Sequence, residues 1–300
     1  CYERRYRMIV VDFNQTAISS MMAELGGRRD VEVNLPLIRH MIINAIRSYK
    51  KKFGAEFGNI VIACDNRHYW RRQYFPNYKA NRKKARQESG FDWSAIFEAL
   101  HQIRSELQEH FPYPVIDVDG AEADDVIAVL AEYSQTINTD GLMPSAEPFL
   151  VLSGDHDFQQ LQKWDNVKQY APVQKKFCKL KESPQAVLME HIIMGDKGDG
   201  VPNIMSDDDT FINGQRQRPI RKEALALWKY QKPEDFITND EMWRNFQRNR
   251  ELVDLSRIPE DIKVAIIDSY EKQLGGDRSG LLNYFIANRM KQMIELVDEF

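Results

Sequence analysis

Four short apolar segments, each of which ends at or leads into acidic residues, constrain the fold of this chain more than any other feature. They span residues 7–13, 59–65, 114–118 and 147–153 and are typical of buried strands. Between them, residues 35–52, 93–110 and 122–133 carry the apolar spacing of amphipathic helices. This alternation predicts an α/β fold, with a mostly parallel central sheet flanked by helices.

The second part of the chain lacks strand patterns. A short helix at 158–163 and a hairpin at 167–170 and 176–180 are the last elements predicted before it. Helical patterns follow at 184–194, 220–230, 240–255 and 259–274, and the polar segment 204–218 predicts a mobile loop. We therefore predict an α/β domain over residues 1–183 and a smaller helical domain over residues 184–300.

The composition is that of a globular protein, because 43% hydrophobic and 29% charged residues argue against a disordered or coiled-coil chain. The sequence has no apolar run of about 18 residues and no signal-peptide pattern, so we expect no membrane association and a cytoplasmic location. Three cysteines without metal-site spacing fit a reducing compartment. The formal net charge of −4 by itself argues against nucleic-acid binding.

The acidic residues lie where the predicted strands end. A single Asp at such a place is usually a helix N-cap, but here acids follow four strands in turn. Because the carboxyl ends of parallel strands share one edge of a sheet, we expect these carboxylates to converge and to require cations. Carboxylates without a His or Cys partner favour Mg²⁺ or Mn²⁺ over zinc. The candidates are Asp12, Asp65, Glu122, Asp124, Asp125, Asp155 and Asp157, with Asp117 and Asp119 on the approach and Asp196 and Asp199 in the later sequence MGDKGDGVP.

A site that holds two divalent ions is typical of phosphodiester hydrolysis, because the ions activate water and stabilise the attacking and leaving oxygens. The sequence contains no serine nucleophile elbow, no HExxH zinc motif and no phosphate-binding loop that would indicate other chemistry. We predict structural or solvent-facing roles for the histidines, which are His40, His68, His101, His110, His156 and His191.

Residues 67–86, the basic segment, are strongly positive. The segment contains eight Lys or Arg residues and no Asp or Glu, so the rest of the chain has a formal charge of −12. Its cations are Arg67, Arg71, Arg72, Lys79, Arg82, Lys83, Lys84 and Arg86, interleaved with Tyr69, Trp70, Tyr74, Phe75 and Tyr78. A solvated helix face would mix both signs of charge. Cations that pair with phosphates, beside rings that stack on bases, instead predict contact with single-stranded nucleic acid.

Seven motifs in order resemble the 5′-nuclease (flap endonuclease) family, and within it the branch of T-even bacteriophage ribonuclease H. They are VVDFNQ at 10–15, ACDN at 63–66, YWRR at 69–72, YKANR at 78–82, DGAEADDVIAVL at 119–130, SGDHDFQQL at 153–161 and GDKGDGVPN at 195–203. Each motif alone is modest, but their order and separations are specific.

The resemblance implies a role for most of the candidate residues. It assigns one metal position to Asp12, Asp65, Glu122, Asp124 and Asp155, and a second to Asp157, Asp196 and Asp199, with Asp125 shaping the cluster. It implies that Arg71, Lys79 and Arg82 act on the scissile phosphate, and that Tyr78 lies near the emerging strand. Residues 66–90 correspond to a helical arch over a 5′ single strand, to which Arg67, Arg72, Lys83, Lys84 and Arg86 contribute.

The resemblance also implies a helix-three-turn-helix that binds the duplex backbone, beginning at GDKGDGVPN with Lys197, Gly198 and Gly200. Here the chain departs from the usual family pattern, because residues 204–218 intervene before PIRKEALAL at 219–227. We expect Arg218, Arg221 and Lys222 to supply the missing phosphate contacts.

The resemblance implies a free-standing, monomeric Mg²⁺-dependent 5′→3′ exonuclease and flap endonuclease, with Mn²⁺ able to substitute. Its substrates would be RNA–DNA hybrid, double-stranded DNA and 5′-flap DNA. Its biological role would be the removal of RNA primers in the host cytoplasm. The terminal residues 296–300 could dock a sliding clamp or a single-strand-binding protein, but we expect a frayed end. The alternatives are a structure-specific DNA-binding protein without catalysis and a PIN-like ribonuclease.

Overall fold

The structure is a computed structural model that describes residues 7–25, 33–135 and 146–300. Six strands form one sheet: β1 Met8–Asp12, β2 Asn59–Ala63, β3 Val115–Ile116, β4 Phe149–Leu152, β5 Val167–Ala171 and β6 Lys176–Phe177. Their order is β3-β2-β1-β4-β5-β6, and every neighbouring pair is parallel except β5 and β6. The predicted parallel sheet and terminal hairpin are therefore confirmed.

The α-helices of the described residues are α1 Phe13–Leu25, α2 Leu35–Phe57, α3 Trp70–Tyr74, α4 Asn81–Ser89, α5 Trp93–His110, α6 Ala123–Tyr133, α7 Pro184–Met194, α8 Lys222–Trp228, α9 Pro233–Phe236, α10 Asp240–Val253, α11 Glu260–Lys272, α12 Leu281–Ala287 and α13 Lys291–Ile294. Short 3₁₀ turns lie at Asp157–Lys163, Leu255–Arg257 and Val297–Glu299. None of the helices in this part of the chain is long and apolar enough to cross a membrane.

Helix α1 was not predicted, because β1 passes into it without a connecting turn. The carboxylate of Asp12 accepts a hydrogen bond from the Gln15 backbone N–H at 3.0 Å, so the last residue of the strand also caps the helix. Helix α2 extends beyond its predicted end at residue 52 to Phe57, where Gly58 takes a positive φ of 85°.

Alternate residues of the central strands face two apolar cores. Ile9 and Val11 of β1 face a core built with α2, α5 and the C-terminal helices, whereas Met8 and Val10 face one built with α6 and α11. The helices after residue 259 thus return to both faces of the sheet. The buried clusters do not follow the predicted boundary at 183/184, which stays a prediction.

The C-terminal residues are packed rather than frayed. Phe300 is fully buried, with its ring centroid 5.2 Å from that of Phe285 and 5.7 Å from that of Phe111. Glu299 accepts a hydrogen bond from Lys51 at 2.7 Å. The expectation of a frayed terminus is therefore wrong, because an aromatic side chain fixes the last residue in the core.

A third apolar cluster joins the basic segment to the helices that follow the sheet. Phe75 and Tyr78 pack there with Ile192, Ile193 and Phe246. Residues 204–218, for which we predicted a mobile loop, are tied down at several points beside this cluster. Asn203 donates to the Arg218 carbonyl at 2.9 Å, and Arg248 of α10 donates to Asp208 at 2.5 Å.

Candidate active site

The carboxyl ends of β1, β2 and β4 and the start of α6 meet at one edge of the sheet, as predicted. Asp12 ends β1, and Asp65 and Asp155 follow β2 and β4 by a few residues. Glu122 is the N-cap residue of α6, whose first turn carries Asp124 and Asp125. The turn at Asp196–Val201 after α7 brings Asp196 and Asp199 to the same edge, where Asp199 lies beside Lys79.

Backbone amides at the start of α6 hold two of these carboxylates. The Glu122 N–H donates to Asp125 at 2.9 Å, and the Ala123 N–H donates to Asp65 at 2.8 Å. A helix N-terminus favours negative charge, so α6 helps to stabilise the acids around it. Asp65 also accepts a hydrogen bond from the Asn14 side chain at 2.6 Å.

Arg71 neutralises two buried carboxylates. Its guanidinium lies 2.9 Å from Glu122 and 2.7 Å from Asp125, and its Nε donates to the Leu252 carbonyl. The side chain is only 2% exposed. The structure thus contradicts the predicted contact between Arg71 and a phosphate, because its donors are committed inside the protein.

Lys79 and Arg82 extend this pairing to the rim of the site. The Lys79 ammonium lies 2.5 Å from Glu122 and 3.5 Å from Asp199, which also pairs with Arg82. Lys79 has a positive φ of 57° and its N–H donates to the Asp199 carbonyl at 2.7 Å. A non-glycine residue in this region is strained, which is common at functional sites. We call Glu122, Asp125 and Asp199 the paired carboxylates.

Tyr78 cannot stack on a nucleic-acid strand in this structure, contrary to the prediction. Its side chain is buried, and its hydroxyl lies 2.7 Å from Asp199 and 3.1 Å from Glu122. Its ring packs against that of Tyr69 with a centroid distance of 5.8 Å. Tyr78 therefore helps to hold two of the paired carboxylates, Glu122 and Asp199, in place.

A second group of carboxylates has no such partners. Within the described part of the chain, no Lys, Arg or His forms an ion pair with the unpaired carboxylates, which are Asp12, Asp65, Asp124 and Asp155. Burial, with the nearby charges of Asp65 and Asp155, raises the pKa of Asp12 to about 7. Burial also raises the pKa of Asp124 well above its usual value; Lys79 opposes this rise, and Asp155 and Asp157 add to it.

His191 of α7 is a site residue that the sequence analysis missed. Its Nδ1 lies 3.2 Å from Asp157 and its Nε2 lies 3.5 Å from Asp196, so the imidazole bridges two predicted ligands. The sequence analysis counted His191 among the structural or solvent-facing histidines and gave no sign of these two contacts. Burial raises the pKa of Asp157 to about 7 against the opposing charge of His191. Although burial opposes it, the hydrogen bond from His191 lowers the pKa of Asp196 to about 2.

The basic segment forms one wall of a groove of about 460 Å³ whose floor includes Asp65 and Glu122. The groove is lined by the predicted cations Arg67, Arg72, Lys79, Arg82, Lys83 and Arg86. Lys84 lies in α4, but its side chain is outside the described residues. His101 and Arg104 of α5 also line the groove and were not predicted. Their spacing with Phe97 and Leu100 on one helix face was the available signal.

The turn after α7 touches the basic segment rather than standing apart from it. Arg82 and Asn81 donate to the carbonyls of Gly198 and Lys197 at 3.3 and 2.9 Å. Gly200 is buried, and a Cβ there would lie 3.2 Å from the Asn77 carbonyl. The predicted nucleic-acid contact of Gly200 is thus contradicted, because the residue lies against the basic segment.

The remaining predicted contacts lie on the surface. Lys197 and Gly198 are exposed, as are Arg221 and Lys222 at the start of α8. Arg218 is exposed, but its guanidinium forms ion pairs with Asp207 and Glu241 at 3.5 and 3.4 Å. Asp117 and Asp119 point to other partners, pairing with Arg104 and His68 at 3.0 and 3.2 Å.

The donor set fits divalent cations. The unpaired carboxylates offer only oxygen, the ligand that Mg²⁺ and Mn²⁺ accept. Burial and the neighbouring carboxylates raise the pKa values of Asp12, Asp124 and Asp157, so a bound cation would favour their ionised forms. Asp12, Asp65, Asp124 and Asp155 could hold one ion, and Asp157 and Asp196 a second. Glu122 and Asp199, which were also predicted as ligands, pair with Lys79 in this structure, so their part in binding ions stays a prediction.

Two family models match the chain over ranges that overlap by a few residues. The 5′-3′ exonuclease N-terminal resolvase-like domain matches residues 10–190, and the C-terminal domain of T4 RNase H matches residues 182–300. Ribonuclease H of Enterobacteria phage T4 is 32% identical over 299 residues, 97% of this chain and 95% of that protein. The flap endonuclease Xni of Shewanella pealeana is 31% identical over 141 residues, 45% of this chain and 48% of that protein.

Two solved structures share the fold. A bacteriophage T5 protein crystallised with metal ions has a TM-score of 0.59 and 16% identity, covering 89% of this chain and 98% of the other. A T5 flap endonuclease in a pseudo-enzyme-product complex with DNA and metal ions has a TM-score of 0.60, with the same identity and coverage. The predicted resemblance and fold class are confirmed, and this chain, similar to T4 ribonuclease H over nearly its whole length, is a nuclease that belongs to the 5′-3′ exonuclease family.

Proposed function

We propose that this nuclease is a Mg²⁺-dependent 5′→3′ exonuclease and flap endonuclease that hydrolyses phosphodiester bonds with two divalent ions. Its substrates are RNA–DNA hybrid, double-stranded DNA and 5′-flap DNA. Its biological use is the removal of RNA primers from lagging-strand fragments in the cytoplasm of the host cell. Mn²⁺ can substitute for Mg²⁺.

The observation that carries this proposal is that, among the described residues, no Lys, Arg or His forms an ion pair with the unpaired carboxylates, although they lie directly beside a basic groove. The phosphate oxygens of a substrate would pair with the cations of the groove. Divalent ions would neutralise the unpaired carboxylates. Asp65 and Glu122 belong to the carboxylate cluster and also to the floor of the groove. A strand that lies along the groove would therefore reach the carboxylates.

Different residues of the site have different roles in cleavage. When bound, the two divalent ions supply water activation and charge stabilisation at the attacking and leaving oxygens. Asp12, Asp65, Asp124 and Asp155 hold one ion, and Asp157 and Asp196 hold the other. Lys79 and Arg82 face the same space from the rim and stabilise charge on the scissile phosphate. Arg71 and Tyr78 fix Glu122 and thereby the first turn of α6.

The surface contacts follow from exposed charge. Arg67, Arg72, Lys83 and Arg86 hold the 5′ strand in the groove, together with His101 and Arg104, and the predicted contact of Lys84, whose side chain is outside the described residues, stays a prediction. The exposed residues Lys197 and Gly198, with Arg218, Arg221 and Lys222, bind the duplex backbone. A T5 relative was crystallised with DNA, which supports a DNA substrate here. We infer a monomer, and any clamp or single-strand-binding partner that used residues 296–300 would have to release Phe300 from the core.

The test compares substrates and one variant. A 5′-labelled flap, a nicked duplex, an RNA–DNA hybrid and a single-stranded RNA are incubated with the full chain in Mg²⁺, with and without EDTA. We expect short oligonucleotides from the first three substrates, no product in EDTA, and no product from Asp155→Asn even though it still binds the flap.

Each contrary result has its own meaning. Cleavage by Asp155→Asn at a near wild-type rate overturns the proposal. If no substrate is cut but the flap is bound, the chain is a binding protein without catalysis. If only the single-stranded RNA is cut, the chain acts as a PIN-like ribonuclease.

A further inference from the structure

An imidazole stands at one end of a site that is otherwise built from oxygen. One oxygen each of Asp157 and Asp196 and one ring nitrogen of His191 lie within 4.8 Å of one another, a spacing that can surround a single ion. We call these three residues the mixed-ligand position. A further inference about it deepens the proposed function, on which it rests.

The elements around His191 fix the ring in this place. Its side chain is 12% exposed, and α7 packs against the 3₁₀ turn Asp157–Lys163 that carries Asp157. The main chain at the end of α7 passes through Gly195, with a φ of 66°, directly into Asp196. Both neighbours of the imidazole are thus attached to the same packed unit as His191 itself.

The hydrogen-bond geometry suits a metal-ligating histidine. Each ring nitrogen faces a carboxylate, Nδ1 towards Asp157 at 3.2 Å and Nε2 towards Asp196 at 3.5 Å. If one nitrogen binds an ion, the other keeps a carboxylate to which its N–H can donate. Such a carboxylate partner orients the ring of a ligating histidine and raises its basicity as a ligand.

Ligand chemistry separates the mixed-ligand position from the unpaired carboxylates. Imidazole nitrogen suits first-row transition ions such as Zn²⁺, Fe²⁺ and Ni²⁺, and Mn²⁺ accepts it beside its usual oxygen ligands, whereas Mg²⁺ prefers oxygen and water. An open cavity of about 370 Å³, lined by Asp155, Asp157, His191 and Asp196, gives an ion access from solvent. His156 lies on the same cavity, its ring centroid 5.8 Å from that of His191.

We propose that His191 is a nitrogen ligand and that the mixed-ligand position selects a first-row transition ion over Mg²⁺. The unpaired carboxylates remain the Mg²⁺ position. The nuclease therefore holds two unlike ions when both kinds are present.

Electron spin echo spectroscopy of bound Mn²⁺ tests the proposal without using activity. The full chain is loaded with Mn²⁺ in the presence of excess Mg²⁺, and modulation from a directly bound ¹⁴N is recorded. We expect the modulation in the wild type, its loss in His191→Gln and its persistence in His68→Gln, an exposed histidine paired with Asp119. Labelling the wild-type protein with ¹⁵N-histidine should change the modulation frequencies, which provides a test that needs no variant.

Binding affinities provide the second measurement. Loss of one ligand should weaken Mn²⁺ binding by about 10-fold or more, whereas Mg²⁺ binding measured by calorimetry should change by less than about 3-fold. Equal losses for both ions, or no nitrogen modulation in the wild type, overturn the proposal. Modulation that survives His191→Gln but disappears in His156→Gln also overturns it, because the ligand is then the other imidazole.

Failure of this inference can be told apart from failure of the proposed function. A protein that cuts flaps in Mg²⁺ but shows no nitrogen modulation retains the proposed function and loses only the role of His191. A protein that shows the modulation but cuts no substrate retains a metal-binding histidine and loses the proposed nuclease function.

Discussion

The two halves of the carboxylate cluster, the paired and the unpaired carboxylates, differ in whether cations of the protein neutralise them. The paired carboxylates are neutralised by the protein, because Arg71 lies between Glu122 and Asp125, and Lys79 lies between Glu122 and Asp199. In the ranges that the structure describes, the unpaired carboxylates form no ion pair with a cation, and Asp65, for example, accepts a hydrogen bond from the uncharged Asn14 side chain. The protein thus neutralises one half itself, whereas under the proposed function divalent ions neutralise the other.

This difference explains why the basic segment holds both buried and exposed cations. Arg71 is buried and stabilises the fold, whereas Arg72, the next residue, is exposed and lines the groove. Burying a carboxylate is costly unless a cation accompanies it. The segment thus stabilises one half of the site while presenting its remaining charge to a substrate.

The largest effect should follow from removing a charge in the unpaired half. Asp124→Asn should lower the cleavage rate by about 10³-fold or more, because the isosteric amide no longer attracts a divalent ion; this corresponds to about 4 kcal/mol. The same variant should unfold at a higher temperature in EDTA at pH 7.5, because the buried carboxylate and its repulsion by Asp155 are removed. Cleavage assays and calorimetric scans measure the two effects.

Two neighbouring variants control this prediction. Asp125→Asn, one residue away in the paired half, should lower the unfolding temperature because it leaves Arg71 without one of its partners. Asp119→Asn, with a side chain 82% exposed, should change neither property. If Asp124→Asn and Asp125→Asn shift the unfolding temperature in the same direction, the division into halves is wrong.

A somewhat smaller effect should follow from removing the main cation of the paired half. Arg71→Met should lower the free energy of unfolding by about 3 kcal/mol, because Glu122 and Asp125 are left buried without their partner. Urea unfolding measures the change. Arg72→Met, which loses an exposed cation 5.1 Å from the Tyr69 ring, should cost less than about 1 kcal/mol. Equal effects of the two variants would contradict the buried role of Arg71.

The sequence predicted the unpaired half better than the paired half, and the reason is distance along the chain. Asp12 and Asp155 follow strands whose apolar pattern is local, so their place at the sheet edge could be read directly. The roles of Arg71 and Tyr78 depend on partners 51 and 121 residues away, Glu122 and Asp199. No local pattern distinguishes a cation that will be buried from one that will face a phosphate.

The same limit applies to His191 and Phe300. The apolar pattern of α7 predicted a helix at the correct residues, but it gave no sign that its histidine would meet Asp157 from another element. The burial of Phe300 depends on Phe111 and Phe285, which come from two different helical regions. Long-range packing of this kind is visible only once the chain is folded.

A third prediction concerns pH and divalent ions. The pKa values of Asp12 and Asp157 rise from 3.8 to about 7 on folding, so the folded state binds more protons than the unfolded state between these values. Stability in EDTA should therefore fall as the pH rises from about 4 through 7, by about 2 kcal/mol or more. Added Mg²⁺ should reduce the fall, because the ion stabilises the ionised carboxylates.

Thermal unfolding at several pH values, with and without Mg²⁺, measures this slope. Asp12→Asn should flatten the profile in EDTA, whereas Asp119→Asn should leave it unchanged. A stability that rises between pH 5 and 7 in EDTA would show that the unpaired carboxylates are neutralised by the protein after all.

The smallest effect should come from a single cation in the groove. Lys83 is exposed and lines the groove, so Lys83→Gln should weaken binding of a 5′ single strand only a few-fold, without altering stability. The dependence of log affinity on log salt should fall by about 0.7, because one phosphate contact to a single strand is lost. Lys272→Gln is the matched control. This exposed lysine ends α11, and the next residue, Gln273, contacts the start of β3. Lys272 therefore lies at the opposite edge of the sheet from the carboxylates. Fluorescence anisotropy at several salt concentrations measures both slopes, and an unchanged slope for Lys83→Gln would remove the groove from the path of the strand.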